Sequence, residues 1–360
     1  FYSVYEEARL NDMGYVIRQD WLDSLGLSKP TTLDELHDVL SAFQQDKGAT
    51  DALFVPATGV SDYFAAAYGV GSGMYLDGDT IKYGPLEADY KEYLQMMNQW
   101  YTEGLLYHDF PFYGEQLAFR DMDKIGSGAV ACFYSETGNM ASFKDFSSDE
   151  DFLLTAMAPV SKEKGDTIYM ADKKPSRADD VRWAVTTGCE DPELLISFID
   201  YLYTDEGALL CNYGIEGEGF EYDENGNPQF TDFVVNGGNF QFMMTGYTLS
   251  GVPSLQDFDK SFFTYGDNVI EAFDTWASCV DDLYTLPAAL TLNTEQNEAY
   301  SSKFNDINTM AEERVGKFIT GELDIETQWD AFQQDLESMG IQDCIDIYQE
   351  AYDNYEASKG

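Results

Sequence analysis

Residues 14–43 contain the pattern that most constrains the fold of this chain. The apolar run YVI at 15–17 has the length of a short buried strand. Pro30 then interrupts the backbone, because proline fixes its own φ and excludes the residue before it from the helical region. Thr32 and Glu35 have the spacing of a capping box, and leucines at helical spacing follow them. A strand, an interruption and a capped amphipathic helix predict one αβ unit of a mixed sheet.

Further apolar runs and turn signals predict that strands and helices alternate along the rest of the chain. Short strands are predicted at 52–56, 128–134, 152–159 and 181–187. The pair Asp77-Gly78 predicts a tight hairpin turn, and Asp191 followed by Pro192 predicts the start of a helix. The buried stripe of that helix is predicted at Leu195, Phe198, Ile199 and Leu202. Helices predominate, so the predicted fold class is α/β and helix-rich.

The charge of the chain excludes one class of function. The 360 residues include 66 acidic and 20 basic ones, which gives a net charge of −46. Nucleic-acid binding needs lysine and arginine to neutralise phosphates, so no nucleic-acid partner is expected. Adsorption to anionic lipid is disfavoured for the same reason. The mutual repulsion of such copies favours a monomer.

Cysteine and histidine usage argues against a metal or redox site. The chain has two histidines, and its five cysteines are widely spaced without a C-x-x-C pair. Buried free thiols are therefore expected, and no metal or other cofactor is predicted. The segment DENGN at 223–227 resembles the first half of a calcium loop, but the loop's twelfth position is not glutamate. Its Asn-Gly pair favours a hairpin turn instead. The cysteines are Cys132, Cys189, Cys211, Cys279 and Cys344.

Several strings, in chain order, carry a family resemblance. They are RQDWLDSLGL with PTTLDELHDVLSAF, YLQMMNQWYTEGLL, SFIDYLYTDEGALLCNYGIEGEGFEYDENGNP, KFITGELDIETQWDAFQQDLESMGI and IYQEAYDNY. They resemble the extracellular solute-binding proteins of ABC importers, in the carbohydrate-associated lipoprotein group of Gram-positive bacteria. The segment TDEG with the NYG after it is the most specific part. The resemblance extends over residues 14–355.

The resemblance implies a periplasmic-binding-protein-like type II fold of the maltodextrin-binding kind, in which two discontinuous α/β lobes close about a hinge. Family members carry a signal peptide, a lipid-attachment cysteine and more of the first lobe ahead of the matching part. The first lobe is therefore expected to be incomplete here, with the apolar faces of 181–246 exposed. The expected division is 1–13 as the approach to the hinge, 14–160 as the second lobe, 161–180 as a crossing loop, 181–246 as the returning first lobe, and 247–360 as the rest of the second lobe.

Aromatic rings beside carboxylate or amide groups are what a sugar site requires. Tyr63 follows a predicted strand, at a position where maltodextrin-type proteins have an aromatic ligand contact. Tyr134 and Glu136 lie at the end of another predicted strand, the edge at which open α/β sheets bind ligands. Core or rim packing is the alternative role for each aromatic residue. The candidate ligand-binding residues are Tyr63, Phe64, Tyr134, Glu136, Trp183, Trp276 and Tyr284.

By this resemblance the chain delivers a small-molecule ligand, most simply an oligosaccharide, to the permease subunits of an ABC transporter by hinge closure, without catalysis. The resemblance also implies an extracellular protein anchored to the cell surface by lipid. Three alternatives remain open at this point. One is a glycan hydrolase with paired carboxylates, although 66 acids make such pairs easy to find. The others are a binding protein for peptides or another small solute, and a surface adhesion or scaffold protein.

Overall fold

The structure is a computed structural model. It describes residues 1–5, 13–55, 62–109, 122–140, 142–166, 168, 178–238, 240–249, 251–257, 260, 266–278, 284–287 and 290–359. Cys279 and the last residue of the predicted strand 52–56 lie outside these ranges.

Short strands and longer helices alternate along the described chain. The strands are β1 (Tyr2–Tyr5), β2 (Met13–Arg18), β3 (Met74–Asp77), β4 (Thr80–Tyr83), β5 (Cys132–Glu136), β6 (Leu154–Ala156), β7 (Ala178–Arg182), β8 (Phe220–Tyr222), β9 (Pro228–Phe230) and β10 (Leu255–Gln256). The helices are α1 (Gln19–Leu25), α2 (Leu33–Lys47), α3 (Asp62–Ala65), α4 (Ala88–Thr102), α5 (Met122–Gly126), α6 (Thr137–Met140), α7 (Pro192–Leu202), α8 (Asp205–Tyr213), α9 (Asp232–Asn236), α10 (Phe240–Tyr247), α11 (Asp267–Ala277), α12 (Thr294–Thr320), α13 (Ile325–Met339) and α14 (Ile341–Ser358). None of the helices in the described ranges is long and apolar enough to cross a membrane.

The chain divides into two compact units, and each is discontinuous in sequence. Unit 1 comprises Phe1–Leu10 and Pro175–Ile270, and unit 2 comprises Asn11–Lys174 and Glu271–Gly360. Unit 1 continues past the expected boundary at 246 because β10 pairs with β1 in its sheet. The assignment of these segments to the lobes of a binding protein stays a prediction.

Unit 2 is built on a three-stranded antiparallel sheet in the order β5-β2-β6. Val16 lies opposite Phe133 on one side and Ala156 on the other. The YVI run at 15–17 is fully buried, as predicted. Register with β2 sets the ends of its neighbours, so β5 begins four residues later than the predicted strand 128–134 and β6 is shorter than 152–159. Leu53 forms single bridges in place of the strand predicted at 52–56.

Helix α2 begins as predicted but with half of the capping box. The Thr32 side chain accepts a hydrogen bond from the Glu35 backbone N–H at 3.2 Å. Glu35 does not reach back to the N-cap residue; its carboxylate instead accepts from the backbone and hydroxyl of Thr31, at 2.8 and 2.7 Å. These bonds to Thr31 lower the pKa of Glu35 to about 2. The capping-box prediction is therefore correct for Thr32 and wrong for Glu35.

Unit 1 contains a three-stranded sheet in the order β10-β1-β7, and β1 is parallel to β10 and antiparallel to β7. Buried Asn212 attaches helix α8 to this sheet. Its Nδ2 donates to the carbonyl of Leu255 at 2.9 Å, and its Oδ1 accepts from the backbone N–H of Asp257 at 3.0 Å. The Tyr213 hydroxyl donates to the Asp257 carboxylate at 2.7 Å. The NYG segment that carried the resemblance thus holds helix and sheet together.

The segment 223–227 forms a turn between β8 and β9, which pair as an antiparallel hairpin. The backbone N–H of Asp223 donates to the carbonyl of Asn227 at 2.9 Å, and Gly226 has φ +86°, a conformation that glycine adopts readily. The Asp223 carboxylate accepts from the backbone N–H groups of Asn225 and Asn227, both at 2.8 Å. The predicted hairpin is confirmed. Within the described ranges no cluster of His, Cys, Asp or Glu could hold a metal ion.

Four of the cysteines lie in the described part of the chain, and all four are free thiols. Cys132, Cys211 and Cys344 are buried, and Cys189 is partly exposed. Burial raises the pKa of the Cys132 thiol, which makes it a poor nucleophile. For Cys132, Cys211 and Cys344 the prediction of buried free thiols is confirmed.

Helix α7 starts as predicted, with the Asp191 side chain accepting from the Leu194 backbone N–H at 3.0 Å. Its buried stripe is only half as predicted. Ile199 and Leu202 are buried and Leu195 is partly exposed, but the Phe198 side chain is 50% exposed. Other apolar residues of 181–246 are exposed as well, as the sequence led us to expect: Trp183, Leu194, Ile196, Ile215, Tyr222, Phe233 and Phe242.

Substitutions at two adjacent positions of α7 will distinguish its buried face from its exposed face. We expect Ile199→Ala to lower the free energy of unfolding by about 2–5 kcal/mol, since it leaves a cavity. Phe198→Ala will cost about 1 kcal/mol or less, because half of its surface already contacts water. Thermal unfolding monitored by circular dichroism measures both. Equal losses for the two variants would show that Phe198 is covered in solution.

Candidate functional site

Gly14, the second residue of β2, allows two distant segments of unit 2 to meet. A Cβ atom on Gly14 would lie 2.3 Å from Trp276 Nε1 on α11 and 2.4 Å from the Tyr63 hydroxyl on α3. Real Cβ contacts are longer than this, so a side chain at position 14 would displace both residues. Glycine at the start of a strand often marks a close approach of this kind. Two of the predicted site residues, Trp276 and Tyr63, thus come together at the beginning of β2.

Aromatic rings from β2, α3 and β5 pack together beside the first residues of β2. The Tyr15 ring centroid lies 5.1 Å from that of Tyr63, 5.0 Å from Phe64 and 5.5 Å from Tyr134. The Tyr63 and Tyr134 centroids are 6.1 Å apart. Tilted and edge-on arrangements at these distances are the favourable ones for aromatic pairs. We call Tyr15, Tyr63, Phe64, Tyr134 and Trp276 the aromatic cluster.

Burial divides the cluster into a base and an accessible part. Tyr63, Phe64 and Trp276 are at most 2% exposed, whereas Tyr134 is partly exposed. Glu136 is also partly exposed and lies two residues beyond Tyr134 on the same strand. Alternate residues of a strand project from one face, so the Tyr134 ring and the Glu136 carboxylate share a side of β5.

Glu136 is held by the first turn after its strand. Its Oε2 accepts a hydrogen bond from Asn139 Nδ2 at 3.3 Å, and Asn139 lies on α6. Opposite it across the sheet is Met13, the first residue of β2. The carboxylate and the amide provide acceptors and donors beside the partly exposed ring.

Trp276 contributes a polar atom with an unusual environment. Its side chain is fully buried, and its Nε1–H has no hydrogen-bond acceptor among the described residues. A buried donor without an acceptor costs about 1–3 kcal/mol. Proteins retain such a cost mainly where another group can supply the missing partner. The indole N–H lies in the buried base of the cluster, so a ligand oxygen would reach it only after the cluster rearranges.

The other two predicted site residues, Tyr284 and Trp183, are not part of the aromatic cluster. Tyr284 stacks on Tyr75 of the hairpin β3–β4, with ring centroids 6.0 Å apart and planes 15° from parallel, and its carbonyl accepts from the Leu76 N–H at 3.1 Å. Trp183 belongs to unit 1 and follows β7 rather than lying within the predicted strand 181–187. Its backbone N–H donates to the carbonyl of Phe1 at 3.0 Å, which extends the pairing of β1 with β7.

Sequence reasoning missed three residues that shape this site. Tyr15 was assigned to the strand core only, although its ring contacts three other members of the cluster. Gly14 and Asn139 were not singled out. A glycine directly before an apolar strand was the available signal for Gly14, whereas nothing local marks Asn139, whose role depends on the position of Glu136.

A methyl group at position 14 will test the packing of the cluster. We expect Gly14→Ala to lower the free energy of unfolding by about 1–3 kcal/mol, because Trp276 and Tyr63 must move away. The control is Gly73→Ala, where an added Cβ meets nothing within 4 Å, and its effect should stay within about 0.5 kcal/mol. Urea unfolding followed by tryptophan fluorescence measures both. Identical midpoints for the two variants would contradict the described packing.

Comparisons with known proteins agree with the family resemblance. No model of a known protein family matches the chain. The chain is 24% identical over 366 residues to the polygalacturonan/rhamnogalacturonan-binding protein YtcQ of Bacillus subtilis (strain 168), covering 98% of this chain and 70% of that protein. Lipoprotein LipO of the same organism is 25% identical over 324 residues, covering 80% and 62%. The fructooligosaccharide ABC transporter substrate-binding protein FusA of Streptococcus pneumoniae serotype 4 is 24% identical over 378 residues, covering 97% and 67%.

Solved structures resemble the fold over nearly the whole chain. The alginate-binding protein AlgQ2 without calcium ion superposes with a TM-score of 0.76 at 21% identity, covering 98% of this chain and 74% of that one. An HMO-binding solute-binding protein from Bifidobacterium longum infantis superposes with a TM-score of 0.77 at 18% identity, covering 98% and 76%. The chain thus spans about two-thirds to three-quarters of the proteins that it matches. The chain is similar to proteins that are named as binding proteins, one of them of an ABC transporter, and its helix-rich α/β fold is the type II fold of the solute-binding proteins that it superposes on.

Proposed function

We propose that this protein is the ligand-binding component of an ABC importer, that its ligand is an oligosaccharide, and that the aromatic cluster with Glu136 binds it. The observation that carries the proposal is the convergence of five predicted residues at the start of β2. They are Tyr63, Phe64, Tyr134, Glu136 and Trp276. Relatives named for polygalacturonan and fructooligosaccharide support the ligand class.

The chemistry of the cluster suits a sugar ring. The C–H faces of a pyranose or furanose pack against an aromatic plane, while its hydroxyl groups need both donors and acceptors. Tyr134 is the partly exposed ring of the cluster and would supply the plane. Glu136 would accept from hydroxyl groups, and the buried Trp276 N–H would donate to a sugar oxygen once the cluster rearranges on binding.

The mechanism we propose is hinge closure. A ligand that contacts both lobes stabilises the closed form over the open form by its additional interactions, and the permease subunits recognise that form. In this account unit 2 (residues 11–174 and 271–360) is one lobe, and unit 1 (residues 1–10 and 175–270) is the other. Trp183 and Tyr284 stay proposed ligand contacts.

We further propose that the protein is extracellular, held at the cell surface by a lipid anchor, monomeric when full length and not an enzyme. The name lipoprotein of one relative and the transporter role named for another support this. A net charge of −46 disfavours self-association. The relatives' names describe binding proteins, which favours binding over glycan hydrolysis.

Isothermal titration calorimetry with the full-length protein will test the function. The panel contains oligosaccharides, uronic-acid oligomers and peptides, and we expect a glycan to bind. Tyr134→Ala should raise the Kd for that glycan about tenfold or more, since stacking and buried area are lost. Tyr222→Ala, at an exposed tyrosine of unit 1, is the control and should leave Kd unchanged.

Two results would contradict the proposal. Binding of a peptide with every glycan silent would show that the ligand class is wrong. Release of new reducing ends from a glycan during incubation with the protein would show that it is an enzyme.

A further inference from the structure

Helix α11 carries Trp276 and also crosses the boundary between the two units. Its residues 267–270 belong to unit 1, and its residues 271–277 belong to unit 2. The other two boundaries, after Leu10 and after Lys174, lie outside the described residues. Helix α11 is therefore the described passage of the chain from one unit to the other.

The sequence of α11 favours movement of the helix as a single body. Helices bend sharply at proline, at glycine or where their backbone bonding is interrupted, and DNVIEAFDTWA contains neither proline nor glycine. A buried stripe continues along the helix on both sides of the unit boundary, at Val269, Ala272, Phe273 and Trp276. The hinge closure proposed above moves one unit relative to the other, so it would shift α11 against the unit that the helix does not follow.

Among the described contacts, an ion pair and one aromatic side chain attach the second half of α11 to other segments of unit 2. Lys29 Nζ lies 2.9 Å from Glu271 Oε1, and the two side chains are 36% and 58% exposed, so the pair is readily broken. Trp276 packs against Gly14 and Tyr63. Burial of the ring favours this packing, whereas the indole N–H, which has no acceptor among the described residues, opposes it. The ion pair therefore adds to the stability of the packed helix and is lost when α11 moves.

We infer that α11 controls access to the aromatic cluster, with Lys29 and Glu271 as positioning residues. In the packed arrangement Trp276 fills the base of the cluster, and its N–H is inaccessible. In the displaced arrangement the ion pair is broken, α11 has moved away from Gly14, and a ligand oxygen reaches the indole N–H. The inference rests on the proposed function, because it takes Trp276 as a ligand contact.

Exchange of the indole N–H with solvent and the affinity for ligand then depend on one quantity, the population of the displaced arrangement. A buried N–H exchanges in proportion to that population when the helix returns rapidly to its packed position. A ligand that binds only the displaced arrangement has an apparent Kd that is inversely proportional to the same population. A substitution that changes the population must therefore change the exchange rate and the affinity by the same factor.

The test uses the full-length protein. Exchange of the Trp276 indole N–H in D₂O is followed by ¹⁵N NMR, and calorimetry gives the Kd for oligogalacturonate and for a fructooligosaccharide, the glycan classes in two relatives' names. In Glu271→Gln we expect exchange to be about two- to fivefold faster and the Kd of the glycan that binds to be lower by the same factor. Lys29→Gln should have the same effect, and the double variant should add nothing, since each substitution removes the same ion pair.

Asp274→Asn is the matched control. Asp274 is an exposed acidic residue of the same helix, so the substitution makes the same change in charge and should alter neither the exchange rate nor Kd. Faster exchange in Glu271→Gln with an unchanged Kd would show that binding does not require movement of α11, which overturns the inference. Equal exchange rates in Glu271→Gln and Asp274→Asn would overturn the role of the ion pair.

Failure of the proposed function has a different signature. Silence of every glycan in the calorimetry panel would refute that function, and the exchange rates alone would then decide whether the Lys29–Glu271 pair holds α11 in place.

Discussion

The pairing of β2 with β5 and β6 is the interaction on which the rest of unit 2 depends. The strand lies in the middle of its sheet, and its residues 15–17 are completely buried. Its register with β5 places Tyr134 opposite Tyr15 and Glu136 opposite Met13. The same backbone hydrogen bonds that build the core therefore also place a ring and a carboxylate side by side. This strand pairing therefore sets both the core of unit 2 and the relative positions of Tyr134 and Glu136 in the proposed site.

The two ends of β2 carry contrasting residues, a glycine near the first end and a buried arginine at the last. At the first end, Gly14 has no side chain, and this absence lets Trp276 approach the strand. At the other end Arg18 is nearly fully buried, with ion pairs to Asp20 at 2.6 Å and Asp149 at 2.7 Å. A buried guanidinium is tolerated only when it is paired in this way, and loss of both carboxylates would leave an uncompensated charge. The strand thus carries a paired buried charge at one end and packs closely against Trp276 at the other.

The sequence predicted the features that local chemistry decides and missed those that tertiary packing decides. Helix starts at Thr32 and Asp191 were predictable, because the side chain of the cap residue accepts a hydrogen bond from the backbone N–H three positions later. The exposure of Phe198 was not, since helical spacing defines a face but not the width that a neighbour covers. The same holds for the site: residue type suggested Glu136, whereas Asn139 has a role only through a contact made after folding.

We propose that the aromatic cluster binds the sugar, and the NMR signal of the Trp276 indole N–H tests this directly. The chain has five tryptophans, so ¹⁵N-labelled protein should give five indole signals, and Trp276→Phe assigns one of them. On titration with an oligosaccharide that binds by calorimetry, we predict that the Trp276 signal shifts and saturates at the same Kd. The signals of Trp21 and Trp329, which pack in the core, should stay in place. A Trp276 signal that does not move while the ligand saturates the protein would contradict the account.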